Sequence, residues 1–230
     1  MKKLITILFV CLTVNAISQD NNGLYSLGLL FGYNLESISN SQINDYLVAN
    51  DYYSSSNILS NNSLGFSIRP LKHTSIINVN FNYGVSLLEN SNEKTIFNSS
   101  SFGFEYLYDL IKPDEWLIAP IIGLRLNNYK LMAVSKYATS VLSKNYLEEA
   151  FHTNLSPSLN IGMQIDRKIK IHYLDLFLGI KGGYNLSFLS SNWYNSSQQK
   201  LNTIPAINLS GFNFGFCGRI EFNIEKMLKK

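Results

Sequence analysis

The chain has 230 residues, of which 46% are hydrophobic and 15% charged, and its formal net charge at pH 7 is +3. A net charge this small gives no electrostatic basis for binding nucleic acid, which calls for a strongly basic surface. Beyond residue 18, no run approaches the roughly 18 consecutive apolar residues of a membrane-spanning helix. If the protein resides in a membrane, it therefore has to cross it as the strands of a closed barrel.

The first residues resemble an export signal. Lys2-Lys3 precede an apolar stretch from Leu4 to Val14, and Ala16-Ile17-Ser18 supplies small residues for cleavage. This order is typical of a signal peptide, which we place at residues 1–18, with a single domain at residues 19–230. A retained signal anchor is the alternative, but its apolar stretch is too short to span a bilayer.

Removal of the signal would lower the net charge to +1 and leave Cys217 as the only cysteine. An exported chain with one thiol forms no internal disulfide. Its stability must have another source, and closure of the backbone hydrogen-bond ladder into a barrel would supply one.

Apolar and polar residues alternate along most of the chain, most regularly in residues 74–88. Successive side chains of a strand point to opposite faces, so this pattern predicts strands with one apolar and one polar face. An apolar stripe six residues long suits a tilted strand that crosses a bilayer. Eight segments have this pattern: Leu24–Ile38, Ser63–Arg69, Thr74–Leu88, Asn98–Tyr108, Trp116–Asn127, Asn154–Ile165, Tyr173–Leu186 and Asn208–Ile224.

The connections between these segments alternate in length, as in outer-membrane barrels with short periplasmic turns and long extracellular loops. The spacing of apolar residues between Val134 and Phe151 allows a short helix in the third long loop. The predicted short turns are 70–73, 110–115 and 166–170, and the predicted long loops are 39–62, 89–97, 128–153 and 187–207.

Alternation alone does not separate a membrane barrel from a soluble, lipocalin-like barrel with an apolar interior. Eleven of the fourteen glycines alternate with the apolar residues and so lie on the polar face of their strands. On a solvated face glycine costs about 0.5–1 kcal/mol, whereas in a narrow barrel interior it makes room for long side chains opposite. We therefore predict that the polar face points inward.

The polar face of the strands also carries four acidic and four basic residues. Buried charges persist only when they are paired, so we predict a paired network in the barrel lumen that plugs and rigidifies it. A gated polar pathway is the alternative. The strand depths predict one cluster of Arg69, Glu105, Asp175, Arg219 and Glu221 in the periplasmic half, and a second of Glu36, Arg125 and Lys181 nearer the outside.

Two prolines, Pro120 and Pro157, fall within predicted strands. Each removes a donor from the ladder, so we expect a bulge or a local break in the register at each.

The histidines suggest one catalytic hypothesis. His73 and His172 fall at short turns, where solvated histidines are common. His152 precedes Ser156 and follows two glutamates, and a Ser–His pair on a barrel would suit acyl transfer if the two side chains were within hydrogen-bonding reach. We nevertheless predict no catalytic, cofactor or metal site, since no metal-binding or phosphate-binding motif is present.

Two further features concern packing and partners. Cys217 lies on the polar face of its strand, which predicts a packed thiol facing the lumen. The loop aromatics either form a partner-binding surface, anchor at the membrane interface or pack among themselves. They are Tyr46, Tyr52, Tyr53, Trp193 and Tyr194.

Three segments carry a resemblance to a known family. They are the glycine-spaced first strand from Ser26 to Leu35, the hairpin formed by Phe102–Tyr108 and Trp116–Gly123, and the strand from Leu176 to Tyr184. The chain resembles the small outer-membrane β-barrels of Bacteroidetes-type bacteria that are called PorT-like. The resemblance implies an outer-membrane location and a link to protein secretion and gliding-type surface functions.

The sequence thus predicts an all-β fold, a monomeric eight-stranded antiparallel up-and-down transmembrane β-barrel with long extracellular loops. We expect outer-membrane lipid and envelope or secretion-complex proteins as partners, no nucleic acid, and a non-enzymatic structural or accessory role. The alternatives are a small-solute channel, a lipid A-modifying enzyme and a soluble secreted carrier.

Overall fold

The computed structural model describes residues 25–39, 41–70, 74–86, 95–111, 115–134, 148–171, 174–195, 197–207 and 210–223. The predicted signal peptide, His73 and His172 lie outside these ranges. The elements are β1 (Tyr25–Ser37), α1 (Ser41–Ala49), β2 (Ile58–Pro70), β3 (Ser75–Ser86), β4 (Ile96–Tyr108), β5 (Trp116–Val134), β6 (Glu148–Thr153), β7 (Ser156–Ile171), β8 (Leu174–Ser187), β9 (Trp193–Tyr194), β10 (Lys200–Leu201) and β11 (Gly211–Asn223).

Eight of the strands form a closed antiparallel barrel, which confirms the predicted fold class. Its order is β1, β2, β3, β4, β5, β7, β8 and β11, and β11 pairs with β1 along the register from Ser26↔Asn223 to Glu36↔Asn213. Closure pairs the edge strands, so the barrel wall has no open edge.

The alternation of side chains places the apolar face outside and the polar face inside. Phe81 and Phe214 are 52% and 54% exposed, whereas Arg125 and Lys181 are 8% and 6% exposed. This orientation confirms the one predicted from the glycines. At Gly84, for example, an added methyl group would collide with the Asn61 side chain inside the barrel.

The longest strand, β5, pairs with two strands in succession. Its first part pairs with β7 as far as Asn127↔Ser156, and its last part pairs with β6 from Lys130↔His152. Two residues of β5 thus face three residues of the returning chain, which is a one-residue bulge. β6 and β7 are therefore one returning arm of a long hairpin that projects beyond the barrel.

The predicted helix between Val134 and Phe151 is wrong where the structure describes it. Val134 ends β5 and residues 148–153 form β6, while residues 135–147 lie outside the described ranges. Pairing with β5 satisfies the β6 backbone and overrides its helical spacing. The described residues instead form a helix in the first long loop, α1. No helix in the described residues is long and apolar enough to span a membrane.

The predicted turn at residues 166–170 is also wrong. β7 continues to Ile171, with Ile169 and Ile171 exposed on the apolar face. Three basic residues in this segment gave it the composition of a turn, although its alternation continues.

The prolines disturb the ladder less than predicted. The β5–β7 register runs through Pro120↔Met163 and Leu126↔Pro157 without a bulge. The β4–β5 register ends at Leu107↔Ile121, next to Pro120, so the expected break occurs on that side alone. Pro157 is the second residue of β7, where a missing donor costs little.

Candidate functional site

The polarity of the side chains that line the lumen changes along the barrel axis. We call the end where β2 leads into β3 and β7 into β8 the short-turn end, and the opposite end, with α1 and the β5–β6 hairpin, the long-loop end. The lumen is polar in the middle, mixed at the short-turn end and covered by an apolar cluster at the long-loop end.

A buried carboxylate organises the middle of the lumen. Glu105 Oε1 lies 3.1 Å from Arg125 Nη2 and 3.8 Å from Lys181 Nζ. The same oxygen accepts a hydrogen bond of 3.4 Å from Asn160 Nδ2, and Asn213 Nδ2 donates to Asn160 Oδ1 at 3.2 Å. We call these five residues the Glu105 cluster. They come from five different strands, so the cluster cross-links the barrel wall from inside.

The structure divides the predicted network differently from the expected two clusters. Glu105 was expected in the periplasmic half, but it contacts Arg125 and Lys181. Arg125 lies opposite Gly103, and its long side chain reaches the diagonal position two residues along β4. Glu36 instead accepts hydrogen bonds from the amides of Asn61 and Asn185.

Little space remains beside these side chains. A cavity of about 10 Å³ lies in the lumen, which is room for about one water molecule. Its lining is polar and includes Asn34, Glu36, Asn61, Ser99, Arg125 and Asn213. The middle of the lumen is therefore a packed polar core.

At the short-turn end, an inward aromatic ring is surrounded by cations. Phe177 is buried, and the Arg219 guanidinium lies 4.4 Å from its ring centroid. Arg69 and Lys168 lie 5.8 Å and 5.6 Å from the same centroid. Contacts of this kind are favourable because the ring face is negative.

Acidic side chains balance the charge of these cations. Arg69 Nη2 lies 3.1 Å from Asp109 Oδ2, and Lys168 Nζ lies 2.9 Å from Asp175 Oδ2. Arg219 Nε lies 2.7 Å from Glu221 Oε1, in a geometry that forms no hydrogen bond. All eight predicted charged residues thus lie in the lumen or at its rim.

Several inward residues at the short-turn end were not predicted from the sequence. Asp109 and Asp166 follow Tyr108 and Ile165, the last residues of the predicted strands, and continuing the alternation by one residue would have found both. The inward apolar residues were also missed. Each is next to an outward apolar residue, so the alternation of apolar and polar residues is interrupted there. These buried residues are Ile76, Leu107, Leu117, Ala119 and Ile121.

At the long-loop end, an apolar cluster covers the lumen, and we call it the cap. Trp193 lies at its centre, fully buried, with its Nε1 donating to the Pro205 carbonyl at 3.1 Å. Its ring meets Phe97, and α1 contributes Ile43 and Leu47. The other buried members are Ile38, Leu59, Tyr129, Leu131, Phe151, Ile204 and Ile207.

The cap accounts for three of the five predicted loop aromatics. Trp193 is in its core, and Tyr46 and Tyr52 pack against it. These three therefore pack in or against the cap, in agreement with the packing alternative. Tyr53 and Tyr194 are half-buried.

The structure does not bring His152 and Ser156 together. Ser156 is buried, with its Oγ 3.4 Å from Ser187 Oγ, whereas the His152 ring lies beside Tyr194 on the opposite face of the sheet. The Cys217 thiol donates to Asp166 Oδ1 at 3.4 Å, on the inward parity predicted for it. Within the described ranges, no three acidic, His or Cys side chains gather as a metal-binding group.

Comparison with known proteins yields similar architectures. No family model and no curated protein matches the chain. Neisserial surface protein A is 14% identical with a TM-score of 0.48, over 87% of this chain and 98% of that one. A major outer membrane protein from Thermus thermophilus is 10% identical with a TM-score of 0.48, over 85% and 99% of the two chains.

The outer membrane protease OmpT from Escherichia coli is also similar, with 10% identity and a TM-score of 0.33 over 87% of this chain and 95% of that one. At TM-scores below 0.5 and identities this low, no activity or partner carries over from these proteins.

Proposed function

We propose that this chain is an integral outer-membrane β-barrel, closed to solutes, with a non-enzymatic structural or accessory role in the cell envelope. The observation that carries the proposal is the distribution of side chains, which is the inverse of that in a water-soluble barrel. The closed barrel is apolar outside and charged inside. Water on the outer face would expose large apolar side chains all round the barrel, whereas hydrocarbon would solvate them.

The rim at the short-turn end supports a membrane setting. At the short-turn end, Trp116 is exposed on the outer face, and the Arg167 guanidinium lies 5.9 Å from its ring centroid. Tyr108 and Ile171 are exposed at the same rim. Aromatic residues beside cations are typical of the boundary between hydrocarbon and water. The proposal places this end in the periplasm, and export by a signal peptide at residues 1–18 is part of it.

The filled lumen argues against a channel. The Glu105 cluster crosses it, Phe177 and its cations occupy one end, and the cap covers the other. We expect the refolded protein to give no steady single-channel current in planar bilayers, under conditions in which a general porin conducts. Insertion is checked separately by protease protection in the same lipid. Regular current steps from inserted protein would overturn the closed lumen and establish the channel alternative.

The finer role rests on the PorT-like resemblance. We propose that the barrel associates with envelope proteins, including secretion components, and that the partner reaches it from its rims, because lipid occupies the outer wall. Co-purification from detergent-solubilised envelopes tests this role. Recovery of a defined envelope complex supports it, and recovery of the barrel alone under mild detergent contradicts it.

A further inference from the structure

A row of polar side chains crosses the sheet that projects beyond the barrel. In this sheet Lys130 of β5 pairs with His152 of β6, His152 pairs with Tyr194 of β9, and Tyr194 pairs with Lys200 of β10. We call these four residues the outer row.

The outer row faces away from the cap. The chain neighbours of its members, Tyr129, Leu131, Phe151 and Trp193, are buried in the cap. Because strand side chains alternate, the row lies on the opposite face of the sheet, and both of its lysines are exposed.

The charge of the outer row comes from its two lysines. Neither Lys130 nor Lys200 forms an ion pair within the part of the chain that the structure describes. His152 Nε2 is covered by its surroundings and has no hydrogen-bond partner among the described residues.

The row lies directly beyond the apolar outer wall. Leu126 is exposed on the same face of β5, and Lys130 follows it after about 13 Å of strand. Leu155, at the bulge between β6 and β7, is 64% exposed. The other described cations lie in the lumen or at the short-turn end, so the outer row is the one cationic surface that the described residues form at this rim.

We propose that the outer row binds the phosphate-bearing headgroup of an anionic lipid in the outer leaflet, with the acyl chains against Leu126 and Leu155. This inference rests on the proposed membrane function. Lys130 and Lys200 would supply charge to the phosphate, and Tyr194 is placed between them to donate a hydrogen bond. The apolar wall below selects a lipid over a soluble phosphate.

The test compares two double variants of the full chain in a neutral detergent. K130A/K200A removes the charge of the outer row, and R167A/K170A removes the same charge from the opposite rim. Each protein is titrated with dioleoylphosphatidic acid, and bound lipid is counted by native mass spectrometry. We expect about thirtyfold weaker binding for K130A/K200A, and a change within twofold for R167A/K170A.

Two further probes identify the source of the binding. Dioleoylglycerol has the same chains without the phosphate, so it should bind all three proteins equally weakly. Inorganic phosphate should not displace the bound lipid. Equal losses in both double variants, no loss in K130A/K200A, or displacement by inorganic phosphate would each overturn the proposal.

The proposal and the function on which it rests fail in different ways. If the barrel does not enter bilayers at all, the proposed function is wrong. If it enters them and the outer row makes no difference to lipid binding, the inference alone is wrong.

Discussion

Replacement of Glu105 by alanine is expected to destabilise the barrel by about 3–5 kcal/mol. Glu105 is 2% exposed, and its carboxylate is the acidic partner of both Arg125 and Lys181. The variant would leave two buried cations without compensation, and an uncompensated buried charge costs about this much. The free energy of unfolding in urea, measured after refolding into lipid vesicles, reports the loss.

Two controls separate charge from packing. Asp175→Asn removes an acid whose ion pair with Lys168 lies closer to the rim, so it should cost no more than about 1 kcal/mol. A triple variant, Glu105→Leu with Arg125→Met and Lys181→Met, should recover most of the loss, because a buried ion pair contributes little more than apolar packing does. A cost below about 1 kcal/mol for Glu105→Ala would mean that water reaches the cluster and that the lumen is open.

Replacement of Leu124 by arginine is expected to cost about 2–4 kcal/mol in a bilayer. Leu124 is 59% exposed, near the middle of the outer wall, with Phe104 and Leu159 as its cross-strand partners. Arginine at the bilayer midplane of a barrel costs about this much, and the cost falls toward the interfaces. The same urea unfolding in vesicles measures it.

Phe188→Arg is the matched control for depth. Phe188 is exposed just beyond the end of β8, at the long-loop rim, where arginine should cost no more than about 1 kcal/mol. If water covered the outer wall, Leu124→Arg would instead change stability by less than about 0.5 kcal/mol, as exposed substitutions usually do. Equal effects at the two positions would therefore contradict a membrane-embedded wall.

The barrel could be predicted from the sequence because its physical cause is local. A period of two places every second residue on one face, and glycines on the polar parity identify the narrow inner face. The alternation located all eight barrel strands, and the glycines placed Arg125 and Lys181 inside.

Other features could not be predicted because tertiary contacts decide them. The residues that form β6 have a spacing that also suits a helix, and their pairing with β5 decides between the two. The cap could not be predicted, because it gathers Phe97, Leu47 and Trp193 from distant parts of the chain. The partners of Glu105 depend on how far Arg125 reaches along the register, which alternation does not specify.

The barrel has a charged and polar lumen, an apolar cap at one end and an apolar outer wall. Charged and polar side chains fill the lumen and cross-link the wall from inside, and apolar residues close the long-loop end. The surfaces left for other molecules are the outer wall, which the proposed function places in lipid, and the rims. This organisation agrees with a structural or accessory role better than with transport.

The central claim is that hydrocarbon covers the apolar outer face while the other face of the same strands fills a closed lumen. Neighbouring isoleucines provide an internal test, because Ile77 and Ile122 face outward whereas Ile76 and Ile121 are buried inside. Nuclear Overhauser contacts between methyl groups and lipid acyl chains, measured in nanodiscs, compare them directly. We predict acyl-chain contacts for Ile77 and Ile122 and none for Ile76 and Ile121, and the reverse pattern, or lipid contacts at none of the four, would contradict the account.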